Sequence, residues 1–140
     1  MSWSWRSGFD RRHPKEFISG KEIQGWVNPG VVSRRLLNPK NSQSQRMTLT
    51  EVHLEPGACQ PRHSHQTSEQ VWYALAGQGT LLLGEGKALP FCRGDVVRFA
   101  QGDIHGLQNP GLEEFVYLAV TAPPLDFREA YHGTAKSPAP

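Results

Sequence analysis

From Met47 to Val120 the chain is cut every few residues by glycine, proline or a short polar turn, which leaves no room for a helix of ordinary length. The apolar and β-branched pieces between the cuts span 47–54, 61–65, 70–76, 80–83, 88–91, 96–99, 104–107 and 114–120. The breaks are Glu55-Pro56-Gly57-Ala58, Gln66-Thr67-Ser68, Gly77-Gln78-Gly79, Gly84-Glu85-Gly86-Lys87, Cys92-Arg93-Gly94-Asp95, Gln101-Gly102-Asp103 and Asn109-Pro110-Gly111. Such spacing without helical periodicity predicts an all-β sandwich or barrel. Upstream, Trp26, Val27 and the run 31–37 can add strands at a sheet edge.

Histidines are placed unevenly on this frame. His63 and His65 stand two apart, so in an extended strand both rings leave the same face, and a third imidazole follows at His105. Three imidazoles can meet at one metal, and imidazole suits Zn, Cu, Fe and Ni alike. His13, His53 and His132 lack such partners and read as ordinary surface or core residues.

The glycines around these histidines carry a resemblance. Gly57, five residues, His63-Ser64-His65, four residues, Gln70, six residues, Gly77 resembles the first motif of the cupin superfamily. Gly94, five residues, Ala100-Gln101-Gly102, two residues, His105, three residues, Asn109 resembles the second. There are two departures. Ala100 stands where the family usually has proline, a turn detail. The fourth ligand of the family is usually a glutamate, and six residues before Gly77 the chain has Gln70; Glu69 fits the shorter spacing from His65 and is its rival.

The resemblance implies a double-stranded β-helix, the cupin jelly-roll barrel, in a single copy. It also implies a divalent transition metal (Fe, Mn, Ni or Zn) held by His63, His65 and His105, with Gln70, or alternatively Glu69, as the fourth ligand. It does not imply one reaction, since similar proteins include oxygenases, isomerases, lyases, cyclases and binding proteins. If Gln70 faces the metal, Trp72, Ala74 and Ala76 share its face; if Glu69 does, Val71, Tyr73 and Leu75 do. Both faces are apolar enough to be buried, so alternation alone does not choose. Three imidazoles and an amide leave a dication uncompensated, which favours an anionic ligand. Trp72 is a pocket wall or a core aromatic; Tyr73, Tyr117, Phe99 and Phe115 read as core, and Arg98 as solvated.

At 140 residues the chain is of single-domain size. It divides into an N-terminal arm with possible edge strands (1–46), the barrel (47–122) and a C-terminal tail (123–140), of which 133–140 reads as disordered. Net charge is +2, with basic clusters at Arg6, Arg11, Arg12 and Lys15 and at Arg34 and Arg35; these read as solvated charge, because no nucleic-acid-binding motif accompanies them. No apolar run is long enough to span a bilayer and no signal-peptide pattern opens the chain, so neither a membrane nor export is expected and the location is cytoplasmic. The two cysteines, Cys59 and Cys92, fit a reduced pair in that compartment. Trp3, Trp5 and Phe9 make the polar arm suited to dock on the barrel or on a second copy, and a homodimer is expected. The function expected is metal-dependent chemistry on a small anionic molecule (oxygenase, isomerase or lyase type); the alternative is a non-catalytic cupin that binds a small ligand.

Overall fold

The computed structural model describes residues 15–125. Trp3, Trp5, Phe9, His13, His132 and the 133–140 tail lie outside the described residues. The described residues form ten strands: β1 (Gly25–Asn28), β2 (Val31–Leu37), β3 (Thr48–Leu54), β4 (Cys59–His63), β5 (Glu69–Ala76), β6 (Gln78–Leu83), β7 (Ala88–Cys92), β8 (Val96–Phe99), β9 (His105–Gln108) and β10 (Phe115–Ala122). They form two antiparallel sheets, one ordered β1-β2-β3-β10-β5-β8 and the other β4-β9-β6-β7. This is the double-stranded β-helix. The strands that the turn punctuation marks out are all present, and 25–37 adds two more at the edge of the larger sheet.

Alternation fixes which face is inside. Along β10, Phe115, Tyr117, Ala119 and Thr121 are buried and the residues between them only partly so, the period-two signature of a strand with one face on a core. Along β5, Gln70, Trp72 and Ala74 are buried while Glu69 and Tyr73 are exposed. Tyr73 therefore corrects its expected core placement, at 44% exposure. It shares the outer face with Glu69. Phe99, Phe115 and Tyr117 are in the core with Val52, Leu54, Trp72, Leu81, Phe91 and Leu107. Each fully buried side chain of this kind stabilises the fold by about 1.5–3 kcal/mol, and Phe115→Ala would cost about 3–5 kcal/mol through the cavity it leaves.

Two positions need particular residues. At Gly77 φ is +91° and a Cβ would lie 2.7 Å from the Glu114 carbonyl oxygen, so only glycine lets the β5–β6 turn pass beneath β10. Asn109 is fully buried: its side-chain amide donates to the carbonyls of Leu54 and Glu113, and its carbonyl accepts from the Gly111 N–H. Its backbone bonds Gly57 and Ala58. It thereby ties the end of β3, the turn before β4 and the loop before β10 into one knot.

Candidate metal centre

The register between the β4 and β9 strands places His63 directly opposite His105. Cross-strand neighbours on one face have Cβ atoms about 4.5–5.5 Å apart, and here the rings reach a centroid distance of 4.5 Å. The ladder is irregular here: β4 is bulged between Gln60 and His63, a stretch that contains Pro61, which has no N–H to contribute. The bulge presses on Gly106, where a Cβ would meet the Gln60 carbonyl oxygen at 2.6 Å and the Pro61 carbonyl carbon at 2.9 Å. Gly106 is thus what allows the two histidine strands to close.

His65 lies two residues beyond the end of β4, so its direction is set by a loop and not by strand alternation. Its carbonyl accepts from the Gly102 N–H at 2.9 Å, which pins the loop against the turn leading to His105. That turn is closed by Asp103, whose carboxylate accepts from the Ala100 N–H at 2.7 Å. A proline at 100 could not make this bond, which gives the Ala100 departure a structural role.

The three rings converge, with ligand nitrogens all within 4.8 Å of one another. His63 Nδ1 bonds the Pro61 carbonyl at 2.8 Å and His105 Nδ1 the Asp103 carbonyl at 3.0 Å. A carbonyl only accepts, so each Nδ1 carries the proton and each Nε2 is left with a lone pair. His105 Nε2 is buried with no hydrogen-bond partner, a costly state unless a cation takes that lone pair.

Burial lowers all three histidines below their ordinary range: desolvation leads, with neighbouring imidazoles adding for His65, at about 4, and His105, at about 3. All are neutral at pH 7, the form that binds metal. Phe99 stacks on His105 at 4.5 Å and 18°, and Trp72 meets it edge-on at 5.3 Å, so His105 is held between two aromatics. The donor set, its protonation and the orphaned nitrogen fit a divalent transition metal.

Gln70 is buried and lines the same cavity as His63 and His65. The Trp72 indole N–H donates to its Oε1 at 3.0 Å and its amide donates to Thr121 Oγ1 at 2.9 Å, which orients the carbonyl and leaves it a second lone pair. Glu69 is on the opposite face of β5, clasped by the Arg98 guanidinium at 2.7 and 2.9 Å, and does not line the cavity. Trp72 is at once core, at 2% exposure, and cavity wall. His53 is remote and bonded between Glu51 and Glu114. Cys59 and Cys92 are free thiols.

The cavity is about 480 Å³, within the usual range for small-molecule sites. Its lining includes Arg35, Lys40, Gln60, Thr50 and Tyr117, and among the described residues it contains no Asp or Glu. Sequence reading missed Arg35, which it grouped with Arg34 as solvated charge. Alternation on β2 separates the two: Arg34 turns outward onto Glu51 at 3.1 Å, and Arg35 turns inward.

A two-sheet β-helix with a cluster of histidines inside is the architecture of the cupin class. The profile of the cupin domain matches residues 50–121, and the chain belongs to that family. Among curated proteins it is 28% identical over 90 residues to an oxalate-binding protein of Thermotoga maritima, a match covering 64% of this chain and 74% of that one. Among solved structures it resembles KdgF from a Halomonas species (TM-score 0.69, 20% identity, 79% of this chain and 96% of that one). It also resembles a predicted oxalate decarboxylase of Thermotoga maritima (TM-score 0.67, 23% identity, 77% and 99%). At these identities the structural likeness speaks for the fold alone.

Proposed function

We propose that this cupin is a metal-dependent enzyme for a small organic anion, with His63, His65 and His105 holding a divalent transition ion and Gln70 completing or hydrogen-bonding its sphere. The observation that carries the reading is the buried, unpartnered Nε2 of His105 beside two further neutral imidazoles, at a cavity whose lining holds Arg35 and Lys40 and no described carboxylate. A dication ligated only by neutral groups is neutralised by an anionic ligand. The relative named for oxalate binding agrees with that class.

When bound, the ion supplies Lewis acidity at open coordination positions. The chain's own residues do the rest. Trp72 and Thr121 fix the Gln70 amide, and Trp72, Val52 and Tyr117 exclude water from the interior wall. The Tyr117 hydroxyl donates to Gln60 Oε1 at 2.8 Å, and burial pushes its pKa well up, so it stays protonated and acts as a donor, not a base.

A second reading, a non-catalytic cupin that binds a small ligand, is favoured by the lack of a carboxylate base among the described lining residues. The test is elemental analysis of protein purified without a metal-affinity tag, followed by oxygen-uptake and lyase screens against small carboxylates. Stoichiometric metal that is lost in His105→Ala supports the centre, and its retention in all three histidine variants refutes it. Turnover separates the enzyme from the binding protein. No helix among the described residues is long and apolar enough to cross a membrane, and a cytoplasmic homodimer is part of this proposal.

A further inference from the structure

Resting on the reading that this cavity takes a small organic anion, we propose that Thr121 is a ligand-binding residue whose hydroxyl donates to a carboxylate oxygen of that anion. A chain of hydrogen bonds carries the argument. The Trp72 indole N–H donates to Gln70 Oε1 at 3.0 Å, and Gln70 Nε2 donates to Thr121 Oγ1 at 2.9 Å. Chemistry fixes the sense of both bonds. An indole N–H can only donate, so the Gln70 atom facing it is the carbonyl oxygen; the amide nitrogen then lies toward Thr121, and it too can only donate. Thr121 is therefore the acceptor in this bond, and its single hydroxyl proton is left to point elsewhere. Among the described residues no group takes it.

The other buried hydroxyls among the described residues are spent inside the fold. Ser42 donates to Glu16 Oε2 at 2.6 Å, Ser68 to the Pro123 carbonyl at 2.6 Å, and Tyr117 to Gln60 Oε1 at 2.8 Å. Thr121 is as buried as these, at 5% exposure, yet its proton has no such acceptor. It stands on the inner face of β10 and lines the same cavity as His63, His65 and Gln70. Its place relative to the histidines follows from contacts: Thr121 pairs with Gln70, Gln70 with Phe99, and Phe99 stacks on His105. A buried donor left unpaired is costly, so the occupant of the cavity is what takes this proton. Accepting from the Gln70 amide polarises the hydroxyl and makes it a stronger donor. No described Asp or Glu lines the cavity to compete for it. A carboxylate oxygen only accepts and completes the chain, whereas an ammonium there would face Thr121 with donors and leave both sides unpaired.

The test is calorimetric titration of the full chain as isolated with oxalate, malonate and succinate, with metal content measured on the same samples and variants compared at equal content. Thr121→Val keeps the shape and removes the hydroxyl; it is expected to weaken the tightest-binding of the three about tenfold or more, the worth of a hydrogen bond to a charged group. Thr121→Ser should keep most of the affinity. Because Thr121→Val also strips Gln70 of its acceptor, the same substitution is made in a Gln70→Leu background, or in Gln70→Met where that variant does not fold. A further loss there upholds direct contact with the ligand, and no further loss overturns it in favour of a role through Gln70 alone. If Thr121→Val does not fold, Thr121→Cys, a weak donor of similar size, is read the same way. Wild type that binds none of the three carboxylates overturns the proposal, as does a Thr121→Val protein that binds them like wild type. Metal-free protein whose carboxylate binding still depends on Thr121 upholds this role and overturns the reading of the centre; metal-loaded protein whose carboxylate binding is indifferent to Thr121 does the reverse.

Discussion

Lowering the pH of the metal-free protein from 7 to 5 should cost it about 4 kcal/mol of folding stability through His65 and His105 alone. The sign follows from the direction of the shifts. Desolvation first, and the neighbouring imidazoles second, bring these two histidines to about 4 and about 3 in the folded chain, against about 6.5 when unfolded. A group whose folded value is depressed below its unfolded value binds protons more readily in the unfolded chain. Its stability contribution is therefore full above about pH 6.5 and falls as the pH drops toward the folded values. At pH 5 the unfolded histidines are almost wholly protonated and the folded ones almost wholly neutral, which amounts to about 2 kcal/mol for each. His63, also lowered by burial, pulls the same way. His53 opposes them: desolvation lowers it, but its bonds to Glu51 and Glu114 outweigh that and raise it, so its contribution is present below about pH 6.5 and fades above. It is partly solvated, and that offset is smaller. Urea denaturation of chelator-treated protein at pH 7 and pH 5 measures the difference, and His105→Ala should remove one share of it. A stability that is flat across this window, or a slope unchanged by His105→Ala, would refute the claim that the histidines are buried and neutral.

Metal affinity should fall more than about tenfold in His63→Ala, His65→Ala and His105→Ala with the fold retained, as read by elemental analysis and circular dichroism. Gly106→Ala should cost about 1–3 kcal/mol and weaken metal binding too, because its new Cβ meets the β4 backbone at 2.6 Å; denaturation and metal titration check both. Gln70→Ala should weaken metal binding while Glu69→Ala leaves it intact, and Gln70→Glu should keep the metal but weaken anion binding, by calorimetry. Sedimentation should show a dimer at micromolar concentration that is weakened by removing residues 1–12, and a monomer in both forms would refute it.

The strands were legible because their signal is local. Turn residues mark the breaks and side chains alternate between them, so nearly every strand from β3 to β10 coincides with a segment read from sequence. Legibility failed where an outcome depends on what another strand does. Tyr73 looks like core, but only packing decides whether the second face of a strand is covered. His63 and His65 looked like a strand pair, yet β4 ends at His63 and the loop bond from Gly102 to His65 sets the second ring. The three histidines named from spacing do cluster, for a partly different physical reason.

The choice between Gln70 and Glu69 shows the same limit from the other side. Both faces of β5 offered apolar neighbours, so alternation gave two answers of equal weight. The structure separates them through long-range partners: Thr121 from β10 and Trp72 hold Gln70 inside, while Arg98 from β8 holds Glu69 outside. The same two-way split on β2 sends Arg34 to Glu51 and Arg35 into the cavity. In each pair the residue that carries charge outward finds an opposite charge on the neighbouring strand, where the cross-strand register puts it: Arg34 opposite Glu51 on β3, and Glu69 within reach of Arg98 on β8. An outer ion pair on adjacent strands thus agrees with the phase of each strand, while on β5 the inward contacts of Gln70 hold it. By this argument Arg98→Glu, which sets like charge beside Glu69, should destabilise the protein by no more than about 1 kcal/mol, since the pair is exposed and the Gln70 contacts alone still hold the phase. A loss of metal binding in that variant at unchanged melting temperature would show that the outer pair, and not the Trp72–Gln70–Thr121 chain, positions the cavity face.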